Sequence, residues 1–337
     1  MAPHPIDART VLGKLETVGV ISTHGGLAHR LEHGTGLRGH ALSYVTSNWS
    51  YDPFLLLVGA VVLLHEVGLH NLARRSRPER ARARRHRSLF FYGGLVVLLL
   101  AVVSPIDYWA DYYFFVHMIE HILIMFFAPV LIVAGAPWLP LVHGLPVGIR
   151  RRVMRSVLLG GWAGPVRALA RALTGGWVAV VLFNVAMVIW HVPALFDLAA
   201  RNQLVHIWLM HSSFFVTGVL FWMQIMSSYP VKPKLTTGSQ IAAILGTNVV
   251  MILLAMSLSL FTNHSLYPVY DHLAGIQMSP FASQQLGAGI LWVCGDFWAY
   301  PALVVLIRRA MAEEGGAGRL VDRVLHVGGT VSRPAGD

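Results

Sequence analysis

Two histidines, a glutamate and a methionine stand together at the start of one strongly apolar stretch. The segment reads His117-Met118-Ile119-Glu120-His121 and continues into a run long enough to cross a bilayer. The two histidines are four residues apart, which places both imidazoles on one helical face with about 5–6 Å between their Cβ atoms. Ionisable groups are costly in a membrane, so this cluster predicts a functional site. Imidazole combined with thioether favours copper, in particular copper(I), as the bound ion.

Further candidate ligands recur near the ends of later apolar stretches. His191 closes the fourth stretch, and His206, Met210 and His211 lie near the start of the fifth. On a regular α-helix His206 and Met210 share a face, whereas His206 and His211 should point roughly 140° apart because a turn contains 3.6 residues. We therefore expect His211 to face another helix. The predicted metal ligands are His117, Met118, Glu120, His121, His191, His206, Met210 and His211.

The composition is that of a polytopic membrane protein. Of the 337 residues, 55% are hydrophobic and only 12% are charged, whereas a soluble domain carries about a quarter charged residues. The formal net charge of +10 lies in short runs between apolar stretches, which is typical of cytoplasmic loops that face anionic lipid and argues against a nucleic-acid partner. The single cysteine, Cys294, excludes a disulfide framework within one chain. Because no known catalytic motif is found, we do not expect an enzyme.

The apolar stretches predict an all-α fold, a polytopic bundle of about seven transmembrane helices. Each stretch approaches the about 20 residues that a membrane-spanning helix needs, although the fourth is short. The bundle would occupy residues 53–309. The predicted helices cover residues 53–70, 89–104, 114–134, 177–191, 204–224, 241–262 and 285–307.

Basic residues predict how the bundle is oriented. Four basic segments all follow odd-numbered helices, at residues 74–87, 150–171, 232–234 and 308–309. The positive-inside rule then gives an N-terminus outside and a C-terminus in the cytoplasm. The candidate histidines gather on the outer side, which favours one shared site between helices. We interpret residues 1–52 as an extracytoplasmic arm that contains histidines and residues 310–337 as a cytoplasmic tail. Residues 145–174 are compatible with a basic amphipathic helix at the membrane surface.

Several motifs occur in a fixed order over roughly residues 53–307. They are Ser104-Pro105-Ile106-Asp107, His117-Met118-x-x-His121, residues 128–137, Trp190-His191-x-Pro193, Gly218-x-x-Phe221-Trp222, Leu266-Tyr267-Pro268-x-Tyr270 and residues 285–292. In this ordered set the chain resembles the membrane-integral cytochrome c oxidase assembly factors called CtaG, of the caa3-oxidase type. The seven-helix architecture of that family agrees with the number of apolar stretches.

The resemblance implies a role in assembling haem–copper oxidases, with copper(I) delivered to an oxidase subunit at the outer face of a bacterial inner membrane. The expected partners are oxidase subunits, an extracytoplasmic copper donor and membrane lipids. The ligands that the resemblance favours are His117, Met118, His121 and His191. Two positions depart from the family pattern. Glu120 stands where Gln is common, and Gln284 stands where Asp is frequent, so we do not expect a carboxylate role at the start of the seventh helix.

Three other functions stay open on the sequence. A haem-binding membrane redox protein would use facing histidines, such as His121 and His206, as axial ligands. A metal transporter would need polar groups along a whole path, for which His65, Glu66 and Asp296 are the hints, although a paired structural role explains His65 and Glu66 equally well. A scaffold without metal would leave the histidines as groups that bond to neighbouring helices.

Overall fold

The computed structural model describes residues 47–50, 54–271 and 278–328. Except for residues 47–50, the predicted N-terminal arm therefore lies outside the described residues, as do residues 329–337 of the predicted tail. What is described is almost wholly helical, which confirms the all-α prediction.

We number the α-helices of the described residues in chain order. They are α1 (Phe54–Ala73), α2 (Pro78–Val102), α3 (Pro105–Ala110), α4 (Phe114–Ile122), α5 (Ala128–Gly135), α6 (Trp138–Gly144), α7 (Val147–Leu159), α8 (Gly164–Leu173), α9 (Gly176–Ile189), α10 (Pro193–Arg201), α11 (Ser212–Ile225), α12 (Thr237–Ser259) and α13 (Pro280–Gly328). Two π-helical segments join α4 to α5 and precede α11, at Leu123–Phe127 and Val205–His211.

The described helices include six stretches that are long and apolar enough to cross a membrane. A seventh span results if Gly161–Leu173, which contains α8, and α9 count together, since they are bent by 79° at a short break. The prediction of about seven spans with a short fourth is thus confirmed, and α9 has only 14 residues. The orientation of the bundle stays a prediction.

Several helix boundaries differ from those predicted. α2 already begins at Pro78, so most of the arginine run forms its first turns instead of a loop. Arginine and alanine are good helix formers and proline suits the first turn, which explains the early start. α13 continues to Gly328, beyond the predicted end of the seventh helix. The predicted surface helix over residues 145–174 is helical but divided into α7 and α8.

The span Phe114–Gly135 is the central helix of the bundle. In its most apolar window 67% of the residues are buried, against 39% or less in the other described spans. It packs against α2, α11 and α13. Two glycines allow the close approach: a Cβ at Gly218 would meet the Met125 carbonyl oxygen, and a Cβ at Gly287 would lie 2.7 Å from the Phe114 ring. The central helix therefore meets α11 at backbone contact distance, and its Phe114 ring packs directly on the α13 backbone.

Candidate metal centre

Five ionisable side chains meet between α4 and the π-helical segment before α11. The potential ligand atoms of His117, His121 and His206 all lie within 4.8 Å of one another. Those of Glu120, His206 and His211 satisfy the same limit, so the two sets share His206. We call these five residues the histidine cluster. His206 is partly buried and the other four are buried. The structure thus brings together five of the eight predicted ligands.

Many polar atoms of the histidine cluster are buried without a hydrogen-bond partner. They are Nε2 of His117, both carboxylate oxygens of Glu120, both ring nitrogens of His121, Nε2 of His206 and Nε2 of His211. Leaving one buried polar group unpaired costs about 1–3 kcal/mol. Buried polar groups are normally paired, so such a concentration at one place needs an explanation. A cation bound by these lone pairs would satisfy several of them together.

The second π-helical segment explains why His206 and His211 face the same centre. Their ring centroids are 4.2 Å apart. The prediction that they point roughly 140° apart was wrong, because it assumed the 3.6-residue turn of an α-helix. In a π-helix the hydrogen bonds run from residue i to i+5, so residues five apart lie one turn apart. The other π-helical segment, Leu123–Phe127, begins two residues after His121. Such wide turns occur frequently at functional sites.

His117 is held in one tautomer by Tyr270. The Tyr270 hydroxyl donates to the Ala110 carbonyl at 3.0 Å and lies 3.2 Å from Nδ1 of His117. Because a phenol has one hydrogen, its oxygen accepts from His117, whose hydrogen therefore sits on Nδ1. The lone pair is then on Nε2, the unpartnered nitrogen of the cluster. Burial, with a smaller effect of the nearby Asp111, raises the pKa of Tyr270 well above its usual value, so the phenol stays protonated.

His191 and Met118 face each other beside the cluster and offer two further candidate ligand atoms. Nδ1 of His191 donates to the Met187 carbonyl at 2.6 Å, and its Nε2 lies 3.3 Å from the Met118 sulfur. Burial lowers the pKa of His191 to about 4, against the opposing effect of the bond to Met187, so the ring is neutral at physiological pH. A nitrogen and a sulfur lone pair thus face each other. The His191 ring lies 6.1 Å from that of His121.

The remaining predicted residues lie in other surroundings. Met210 is fully buried in the hydrophobic core, together with Phe214. Gln284 donates to the Leu258 carbonyl at 2.8 Å and accepts from the Leu266 backbone N–H at 2.7 Å. Its side chain thereby connects the end of α12 to the loop before α13 by hydrogen bonds. This structural role needs no carboxylate.

A second polar group joins α1 to α2, outside the histidine cluster. The Tyr92 hydroxyl donates to Glu66 at 2.6 Å and lies 2.8 Å from Nδ1 of His65. Both residues that hinted at a transport path therefore have partners within the bundle, which favours a paired structural role. The side chain of the third, Asp296, lies outside the described part of the structure.

Tyr270 is a residue near the site to which the sequence assigned no role. It is only 4% exposed, yet it lines a cavity of about 320 Å³ together with Tyr112, Tyr113 and Asp271. It also contacts His117, so it stands between this cavity and the histidine cluster. The signal that could have found it is its place in the ordered motif Leu266-Tyr267-Pro268-x-Tyr270.

Comparison with known proteins gives one match. A family model described as cytochrome c oxidase caa3 assembly factor matches residues 54–313. The matched range begins with α1, ends within α13 and includes the whole histidine cluster. Searches of curated proteins and of solved structures returned no match.

Proposed function

We propose that this chain, which belongs to the family of cytochrome c oxidase caa3 assembly factors, supports oxidase assembly by binding copper(I) in its histidine cluster and passing it on. Family membership makes it a multi-pass membrane protein whose partners are oxidase subunits. Copper is the cargo in this proposal, and the chain has no catalytic role. The setting we propose is a bacterial inner membrane, with an extracytoplasmic protein as the copper donor.

One observation carries the proposal. His117, His121 and His206 bring their ligand atoms within 4.8 Å of one another, and each has at least one buried nitrogen without a partner. Imidazole is a common copper ligand. Three neutral imidazoles around a monovalent ion leave a single positive charge, which is less costly in a membrane interior than a divalent ion with the same ligands.

The neighbouring thioether supports copper(I) as the ion and suggests how it leaves. Met118 and His191 present a sulfur and a nitrogen lone pair 3.3 Å apart, and thioethers select copper(I). An ion in the cluster can exchange an imidazole for these ligands one at a time. Tyr270 lines a cavity and lies 3.2 Å from Nδ1 of His117. We propose that the oxidase subunit supplies its own ligands from this side.

The geometry favours this function over the alternatives. The ring of His117 lies 4.2 Å from that of His121 and 5.0 Å from that of His206. Axial haem ligands have to face each other across a porphyrin, whereas these rings pack directly against one another. A scaffold without metal gives no reason to bury so many unpartnered lone pairs at one place.

The test is the copper content of the detergent-purified protein after anaerobic copper(I) loading. We expect about one equivalent that is lost in the double variant His117→Ala/His121→Ala. The matched control is His65→Gln, which removes a buried imidazole of the second polar group and should keep the copper. Histidines of the N-terminal arm are present in all three proteins, so the difference between them reports on the cluster.

A second readout connects copper to assembly. In cells that lack the native gene, the double variant should accumulate normally but fail to restore oxidase activity. Copper retained by the double variant would place the ion elsewhere and refute the site. Full oxidase activity without bound copper would favour the scaffold.

A further inference from the structure

We propose that the histidine cluster contains a second ion position, formed by Glu120, His206 and His211, that takes a divalent first-row cation. The inference rests on the proposed function because the two positions share a ligand. It adds a class of ion that differs from the cargo, and it predicts that the two ions compete.

The geometry of the second position is as compact as that of the first. The three ligand atoms lie within 4.8 Å of one another. Glu120 Oε1 is 3.3 Å from Nε2 of His211, although the two atoms do not meet hydrogen-bond geometry and both count as unpartnered. The π-helical segment Val205–His211 presents both histidines to the carboxylate.

The chemistry of the donors selects a harder ion than copper(I). Two imidazoles and one carboxylate are the ligands of many zinc and iron sites, and carboxylate oxygen favours divalent ions over soft monovalent ones. Glu120 is 0% exposed, and an ionised carboxylate is expensive at this depth unless it is compensated. A divalent cation bound at this position would compensate the Glu120 carboxylate, with which Asp107 also interacts.

The shared histidine makes the two positions mutually exclusive. The unpartnered nitrogen of His206 is Nε2, and one nitrogen lone pair binds one ion. A divalent ion on Glu120 and His211 therefore removes one of the three copper(I) ligands. Conversely, copper(I) on His117, His121 and His206 leaves the second position with two ligands, Glu120 and His211. No electron transfer is involved, only the exchange of ligand bonds around His206.

The experiment measures zinc and copper(I) affinities of the purified full chain by competition with chelators. We expect Glu120→Gln to weaken zinc binding by more than the about 10- to 100-fold that the loss of an outer-shell partner costs. Its copper(I) affinity should fall less than its zinc affinity, because Glu120 is at most an outer-shell neighbour of the first position. His117→Ala should show the reverse pattern, and His206→Ala should weaken both. In the unaltered protein, saturating zinc should raise the apparent Kd for copper(I).

A second carboxylate variant protects the test against misfolding. Glu120→Asp keeps the charge and should recover part of the zinc affinity. Divalent copper is the second probe: its paramagnetic resonance spectrum should show imidazole nitrogen coupling, and Glu120→Gln should change its g and copper hyperfine values because an oxygen ligand is lost.

The outcomes separate this inference from the proposed function. Zinc and copper(I) bound together in the unaltered protein, or zinc affinity unaffected by Glu120→Gln, would overturn the second position whatever copper(I) does at His117. Copper(I) binding that is unaffected by His117→Ala, with the zinc pattern as expected, would refute the copper site and leave the second position standing.

Discussion

Replacing Tyr270 with phenylalanine should weaken copper(I) binding while every ligand stays in place. The substitution removes one oxygen, which lies 3.2 Å from Nδ1 of His117 and keeps the hydrogen on that nitrogen. Without this partner the ring can carry its hydrogen on either nitrogen. Only the form with Nδ1–H leaves the Nε2 lone pair available to an ion in the cluster. The free energy of copper(I) binding is therefore weakened by the amount with which Tyr270 stabilises the Nδ1–H form of His117.

The burial of His117 sets the size of the effect. The side chain is 1% exposed, so water does not replace the phenol. An unpaired buried donor costs about 1–3 kcal/mol. The Ala110 carbonyl also faces His117 and can accept part of this hydrogen bond. We therefore expect a loss of about 1–2 kcal/mol in copper(I) binding free energy, the lower part of that range. At about 1.4 kcal/mol per tenfold change, the Kd for copper(I) should rise about 5- to 30-fold.

The assay is anaerobic competition with a chromogenic copper(I) chelator. The matched control is Tyr92→Phe, which removes the phenol 2.8 Å from Nδ1 of His65 in the second polar group and should leave the Kd unchanged. A Kd for Tyr270→Phe within about twofold of the unaltered protein, well below the expected shift, would refute the tautomer argument. Equal weakening in both variants would point to a general loss of stability.

Three further predictions concern the fold around the site. Gly218→Ala should destabilise the protein by about 1–2 kcal/mol because its methyl group meets a backbone carbonyl. The control Gly246→Ala, whose added Cβ has nothing within 4 Å, should be neutral or stabilising by up to about 1 kcal/mol. Unfolding in detergent measures both variants, and equal stabilities would contradict the close approach at Gly218. Deletion of Trp208, which is 70% exposed, should turn the π-helical segment into a regular helical turn that still binds copper. Insertion of an alanine after Trp208 should abolish copper binding. Copper bound by the insertion variant and lost in the deletion variant would contradict the wide turn. In a cysteine-free background, Arg82→Cys should react with a membrane-impermeant thiol reagent only in permeabilised cells and His264→Cys in intact ones; the opposite labelling would invert the predicted orientation.

The sequence was sufficient to predict the spans and part of the site, because both depend on local spacing. Apolar stretches of membrane-spanning length define helices wherever they occur. His117 and His121, four residues apart, share a face of any helix, and their ring centroids are 4.2 Å apart. The start of α2 was missed because hydropathy marks where a membrane begins and not where a helix begins.

The remaining part of the site depends on contacts between distant segments. A π-helical turn is less favourable than an α-helical one unless tertiary packing supports it, so the face shared by His206 and His211 does not follow from a 3.6-residue period. Tyr270 reaches His117 across 153 positions of sequence. The tautomer that it selects follows only from the observed hydrogen bonds, not from residue type.

The wide turn at Val205–His211 bears on how this protein should be aligned with its relatives. A π-helical turn is geometrically equivalent to an α-helical turn with one inserted residue. A relative with one residue fewer between the two histidines would present them on the same face, and the rest of the helix would keep its packing. The correct alignment of such a pair would place a gap inside a membrane-spanning helix, where gaps are ordinarily penalised most. An alignment that avoids this gap would shift one histidine out of register and miss a candidate ligand.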